Sequence, residues 1–218
     1  MPPIDDLGFI HRFVAATAGV TDPVTLLMLH GTGGDEDDLL PLGQDLWPGA
    51  ALLGVRGKVL ENGMLRFFRR FAEGVFDVQD LKARTEELAK FIAAASERYG
   101  FSTRKLIAVG YSNGANIAAS LILSHPHYLA AAALFRVMVP YTPEIIRDFS
   151  NLKIFIGAGE TDRTVAREQT EELAAMLESG GADVTLFWHA GGHELSAGDV
   201  EAVKEWMSAD GMKKLRVG

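Results

Sequence analysis

The chain has 218 residues, a formal net charge of −8 from 21 basic and 29 acidic side chains, and no cysteine. That length suits one domain burying about 70 % of the surface its unfolded form exposes. The absence of thiols excludes disulfides, thiol nucleophiles and zinc–thiolate or iron–sulfur sites, while the acidic balance disfavours nucleic acid and anionic lipid and leaves small molecules as expected partners.

The opening residues, Met1 to Asp6, lack a basic start followed by an apolar core, and no apolar run reaches the roughly 18 residues of a membrane span. A cytoplasmic protein without a membrane partner is expected. Phe9 to Val14 reads as a first strand and Thr25 to His30 as a second. The second runs into the glycine-rich turn His30-Gly31-Thr32-Gly33-Gly34, which has neither the lysine nor the G-x-G-x-x-G spacing of a phosphate cradle. The acidic run Asp35 to Asp38 is expected to cap and charge the first turn of a helix over Glu36 to Leu46, rather than to hold a metal.

After a strand over Ala50 to Val55, the stretch from Arg56 to Gln79 shows no clear period. Structureless stretches of that length are often lids or binding segments. Its Phe67, Phe68, Phe71 and Phe76 lie among Arg56, Arg66, Arg69 and Arg70. Two readings stand: Phe67, Phe68 and Phe71 wall an acyl or aryl pocket while the arginines meet a carboxylate, or a short helix packs its aromatics inward. Asp80 to Tyr99 then carries Leu81, Arg84, Leu88, Phe91, Ile92 and Ala95 at three- and four-residue spacings, an amphipathic helix with one face for a sheet.

Further strands are expected over Lys105 to Val109, Ala131 to Leu134, Lys153 to Gly157 and Val184 to Trp188. Helices are expected over Ala115 to His125, Val165 to Ser179 and Gly198 to Asp210. His125-Pro126-His127 reads as a helix exit, and His11, His125 and His127 as structural or exposed. Short Val-, Ile- and Leu-rich runs alternating with helices imply an α/β fold with a mostly parallel sheet of about seven strands, helices on both faces, no large cap, and one domain over 1–218.

One bend carries chemistry. Gly110-Tyr111-Ser112-Asn113-Gly114 joins the apolar run Leu106-Ile107-Ala108-Val109 to a helix, the position of the nucleophile in an α/β-hydrolase fold. The glycines are needed because side chains two before and two after the serine would meet other backbone. A serine hydroxyl needs a base to take its proton and an acid to orient that base, in the chain order serine, acid, histidine. Asp162 lies in the loop after the strand beginning at Lys153, and His193 after that ending at Trp188. Glu160 and His189 are the rivals. Asp162 is favoured because it sits farther into its loop, and His193 because Gly191 and Gly192 let its loop turn back over the sheet edge. Oxyanion donors are available at the N–H of Asn113, opening a helix, and of Thr32 in the glycine-rich turn.

His30-Gly31-Thr32-Gly33-Gly34-Asp35-Glu36, Gly110-Tyr111-Ser112-Asn113-Gly114-Ala115-Asn116, Gly159-Glu160-Thr161-Asp162 and Gly191-Gly192-His193 together resemble the phospholipase/carboxylesterase family of small α/β-hydrolases, relatives of acyl-protein thioesterases. Gly63-Met64-Leu65-Arg66-Phe67-Phe68-Arg69-Arg70 and Asn113 after the serine make the bacterial carboxylesterase branch the nearer likeness, with Leu65 standing where proline is expected. The resemblance implies a Ser112-Asp162-His193 triad, an oxyanion hole from the N–H groups of Thr32 and Asn113, no cofactor and, as often in the family, a homodimer, but it does not fix the substrate. From the residues themselves no metal is expected, and a small-molecule ester is the expected partner. The expected function is a serine carboxylesterase acting on small or short-to-medium-chain esters. Thioesterase, lysophospholipase-like and acyltransferase chemistry are alternatives using the same residues.

Overall fold

Parallel strands covered on both faces must be apolar throughout, and those runs set the architecture. In the computed structural model, which describes residues 7–209 and Met212, the first half contains β1 (His11–Val14), β2 (Thr25–Leu29), α1 (Leu40–Leu46), β3 (Ala51–Val55), β4 (Val59–Glu61), β5 (Met64–Arg66), β6 (Arg70–Ala72), β7 (Val75–Phe76) and α2 (Val78–Tyr99). The second half contains β8 (Leu106–Tyr111), α3 (Asn113–Ser124), β9 (Ala131–Phe135), β10 (Lys153–Gly159), α4 (Arg167–Ser179), β11 (Asp183–His189) and α5 (Ala197–Ser208). Seven strands form one sheet in the order β1-β3-β2-β8-β9-β10-β11. Strand β1 runs antiparallel to β3, and every other pairing in that sheet is parallel. The expected strands are thus present with small changes at their ends, and among the described residues no large cap covers the sheet.

Residues 1–6, 210–211 and 213–218 lie outside the described residues, so the reading of the first six and the expected helix end at Asp210 fall there. No helix among the described residues is long and apolar enough to cross a membrane.

Alternation along each strand divides the core in two. Leu27 and Leu29 of β2 face one cluster with Leu88 and Phe91 of α2, Ile117 of α3 and Leu173 of α4. Leu26 and Met28 face the other, with Leu46 of α1 and Val203 and Met207 of α5. Helix α2 follows its stripe, burying Leu81, Leu88, Phe91, Ile92 and Ala95. Its start is capped by the Asp77 carboxylate, which accepts the N–H of Asp80, and Gly100 ends it at φ 71°.

Two expectations need correcting. The stretch after β3 is neither a structureless lid nor a short helix, but two small antiparallel hairpins, β4–β5 and β6–β7. The acidic run does not cap a helix, since α1 begins only at Leu40 without a side-chain cap. Its side chains pair with distant cations instead: Asp37 accepts from Arg12 Nε–H (2.8 Å), and buried Glu36 is ion-paired with Arg56. Ionic pairing across the fold outweighed the local dipole preference.

Candidate active site

Ser112 sits between the end of β8 and the start of α3 with φ 51° and ψ −111°, a region that costs a non-glycine residue on the order of 1–3 kcal/mol. Its N–H donates to Phe135 O of β9 at 2.8 Å, holding the bend against the sheet. The glycines on either side are dictated by space. A Cβ at Gly110 would lie 2.8 Å from the backbone of Gly114 and Ala115, and one at Gly114 would lie 2.0 Å from Leu29 O and 2.6 Å from His30 O. Gly114→Ala is therefore expected to destabilise by about 3 kcal/mol, lowering Tm by roughly 6–12 °C in a domain of this size. Gly198→Ala serves as control, because its nearest neighbour would be Ser196 Oγ at 3.6 Å. Equal melting temperatures for the two variants would contradict the crowding argument.

Three loops at the carboxyl ends of strands meet at this serine. His193, after β11, places Nε2 3.0 Å from Ser112 Oγ and Nδ1 2.8 Å from Asp162 Oδ2. With the ring proton on Nδ1 donating to Asp162, Nε2 is free to accept the serine proton. The other carboxylate oxygen, Asp162 Oδ1, accepts the N–H groups of Thr164 (2.7 Å) and Val165 (3.0 Å). The Asp162 side chain is 1 % exposed, whereas that of His193 is 26 % exposed and so open to substrate. The rivals do something else: Glu160 is exposed, and its N–H donates to His189 O at 2.8 Å, continuing the β10–β11 ladder.

Thr32 and Asn113 border the same cleft as Ser112 and His193. Asn113 opens α3, where first-turn N–H groups have no intrahelical acceptor. Consecutive residues at the end of β5 fix both side chains. Arg66 Nη1–H donates to Thr32 Oγ1 at 2.6 Å, and the Phe67 N–H donates to Asn113 Oδ1 at 2.7 Å. The glycine-rich turn is held further by Gly33 N–H to Leu65 O (2.8 Å) and by His30. His30 Nε2 accepts the Gly57 N–H at 3.0 Å while Nδ1–H donates to Gly31 O at 2.6 Å, and burial lowers its pKa, which keeps the ring neutral. The β4–β5 hairpin and the residue after it thus brace Thr32 and Asn113.

The cleft is small, about 40 Å³, and its walls include Arg66, Arg70, Glu73, Phe76 and Met138. The aromatic wall differs from expectation. Phe67 and Phe68 are 1 % and 0 % exposed in the core, against His30 and Phe76 respectively, and Phe71 is 76 % exposed. None of the three borders the cleft: Phe67 and Phe68 lie in the connection between β5 and β6 and both turn into the same core cluster, Phe71 of β6 faces solvent, and Phe76 borders the cleft instead. A larger groove of about 470 Å³, lined by Arg104, His127 and Phe149, lies where β9 and β10 begin, at the other sheet edge from Ser112. Among the described residues no group of three His, Asp or Glu side chains is arranged to hold a metal ion.

Tyr111 was missed by sequence reasoning. Its ring lies 5.7 Å from that of His193, and its hydroxyl donates to His193 O at 3.0 Å, while burial raises its pKa and keeps it a donor. The only signal was its place before the serine.

Residues 70–205 match the Dienelactone hydrolase family. The chain is 50 % identical over 188 residues to MhqD of Bacillus subtilis (strain 168), a protein named as a hydrolase, covering 86 % of this chain and 94 % of that one. It resembles the crystal structure of the Bacillus cereus carboxylesterase with a TM-score of 0.88 at 46 % identity, over 92 % of this chain and 93 % of that one. YahD, solved with malic acid, gives a TM-score of 0.86 at 28 % identity, over 92 % of this chain and 98 % of that one.

Proposed function

The chain belongs to the Dienelactone hydrolase family and is an ester hydrolase, and from that premise we propose that it is a serine carboxylesterase using Ser112 as nucleophile, His193 as base and Asp162 as the acid that orients it. The observation carrying this reading is the continuous relay from Ser112 Oγ to His193 Nε2 at 3.0 Å and from His193 Nδ1 to Asp162 at 2.8 Å. Ser112 attacks the ester carbonyl while His193 takes its proton, and the oxyanion is received by the N–H groups of Asn113 and Thr32. His193 then protonates the leaving alcohol. Water activated by the same ring releases the acid and frees the serine. We also propose one hydrolase domain, acting in the cytoplasm as a homodimer.

The small cleft and the charged Arg66, Arg70 and Glu73 in its wall support a short acyl group over a long chain. Arg66 and Arg70 both lie beside Glu61, whose pKa is lowered because hydrogen bonding and charge from the arginines outweigh the opposing effect of burial. With p-nitrophenyl esters from acetate to palmitate, kcat/KM is expected to be highest at acetate or butyrate and at least about tenfold lower at palmitate. A palmitate optimum would overturn the short-chain reading. Acyl thioesters and added alcohol in the same assay separate ester hydrolysis from thioesterase and acyltransferase activity.

A further inference from the structure

We propose that Arg136, held by Asp199 and joined by Tyr111, is the positioning residue that fixes His193 by gripping the loop backbone on both sides of it. This rests on the reading of His193 as the base. Arg136 follows the end of β9 in a left-handed conformation, φ 58°, and is 1 % exposed. Its Nε–H donates to Gly192 O (3.0 Å) and its Nη2–H to Glu194 O (2.7 Å), while the Tyr111 hydroxyl takes His193 O between them (3.0 Å). Three consecutive carbonyl oxygens of the histidine loop are thereby held by side chains rooted in the parallel sheet.

The remaining hydrogen bonds anchor the guanidinium itself. Its Nη1 donates to Gly157 O of β10 (3.1 Å) and Asp199 Oδ1 (2.8 Å), and its Nη2 donates to Asp199 Oδ2 (2.7 Å). Asp199 also belongs to the capping box of α5, accepting the Ser196 N–H at 2.9 Å. Burial pushes the Asp199 carboxyl upward, but bonds from Arg136 and Ser196 outweigh it and hold the pKa below the usual carboxylate value.

The number of donors decides what Arg136 does. A guanidinium has five N–H groups, and each has an acceptor here: Gly192, Gly157, Glu194 and both oxygens of Asp199. Although Arg136 borders the cleft, no donor is left for a substrate. An arginine in such a cleft would otherwise be read as the partner of an anionic ester. Lysine keeps the charge but offers three donors on a tetrahedral head, so it cannot hold both loop carbonyls and Asp199 in one plane.

The test compares wild type, Arg136→Lys, Tyr111→Phe and Ser112→Ala by kcat, KM and Tm on neutral p-nitrophenyl acetate and anionic mono-p-nitrophenyl glutarate. A base displaced by a fraction of an ångström predicts kcat lower by roughly 10²-fold in Arg136→Lys and about tenfold in Tyr111→Phe, with KM within about twofold on both esters. Tyr111→Phe removes one hydroxyl and keeps the ring, so it remains informative if Arg136→Lys does not fold. Unchanged kcat in folded Arg136→Lys, or in Tyr111→Phe if the lysine variant fails to fold, overturns the proposal. So does a KM increase confined to the anionic ester, which would make Arg136 a substrate-binding residue. An active Ser112→Ala would instead sink the reading of the site, whereas an inactive one beside a fully active Arg136→Lys sinks only the clamp.

Discussion

Ser112→Ala is expected to lower kcat by on the order of 10⁶, the loss that follows removal of a nucleophile from a subtilisin-type relay. The structure separates this effect from unfolding. The Ser112 N–H still donates to Phe135 O in the variant, and the hydrogen bond that disappears with the hydroxyl is the one to His193 Nε2 at 3.0 Å. The φ of 51° is no worse for alanine than for serine, so Tm should change little. The rate that survives would come from the cleft and its N–H donors. Steady-state kinetics on p-nitrophenyl acetate, with labelling by a serine-reactive phosphonate and peptide mapping, provide the measurement. Activity above a few per cent of wild type, or label on another residue, would remove Ser112 from the mechanism.

Asp162→Asn is expected to cost about 10⁴ in kcat, with the reason written in the hydrogen bonds of the carboxylate. Oδ1 accepts two N–H groups, from Thr164 and Val165, while Oδ2 faces His193 Nδ1 at 2.8 Å. In the asparagine variant the amide oxygen must stay with the two N–H donors, which turns the NH₂ group toward His193. The ring then accepts at Nδ1 and carries its proton on Nε2, where it faces Ser112 with a donor and cannot act as base. Glu160→Gln is expected to keep kcat within about twofold, because Glu160 is exposed and its N–H rather than its side chain is engaged with His189 O. The opposite ranking would transfer the acid role to Glu160.

How much of this was legible in the chain depended on the distance over which each feature is determined. The buried strands were readable because a parallel strand covered on both faces needs an apolar run, as in Thr25–Leu29 and Leu106–Tyr111. The bend at Ser112 was readable because close approach on both sides permits only glycine at 110 and 114. The hairpins at 59–76 were not: their strands are two or three residues long, too short for a period to show. Nor can composition say which way each phenylalanine turns, so the sequence leaves Phe67 and Phe68 open between a pocket wall and inward packing, and the fold puts both in the core.

The sequence by itself therefore determined the strand and helix alternation, the strained bend, and the order in which serine, acid and histidine appear, because each is written in neighbouring residues. Only the tertiary structure decided that Asp162 rather than Glu160 faces His193, that Arg66 and Phe67 brace Thr32 and Asn113, and that Arg136 grips the histidine loop. Those hydrogen bonds join residues 31 to 81 positions apart. Their partners are selected by sheet order and loop direction, and no local pattern in the chain records which donor will meet which acceptor.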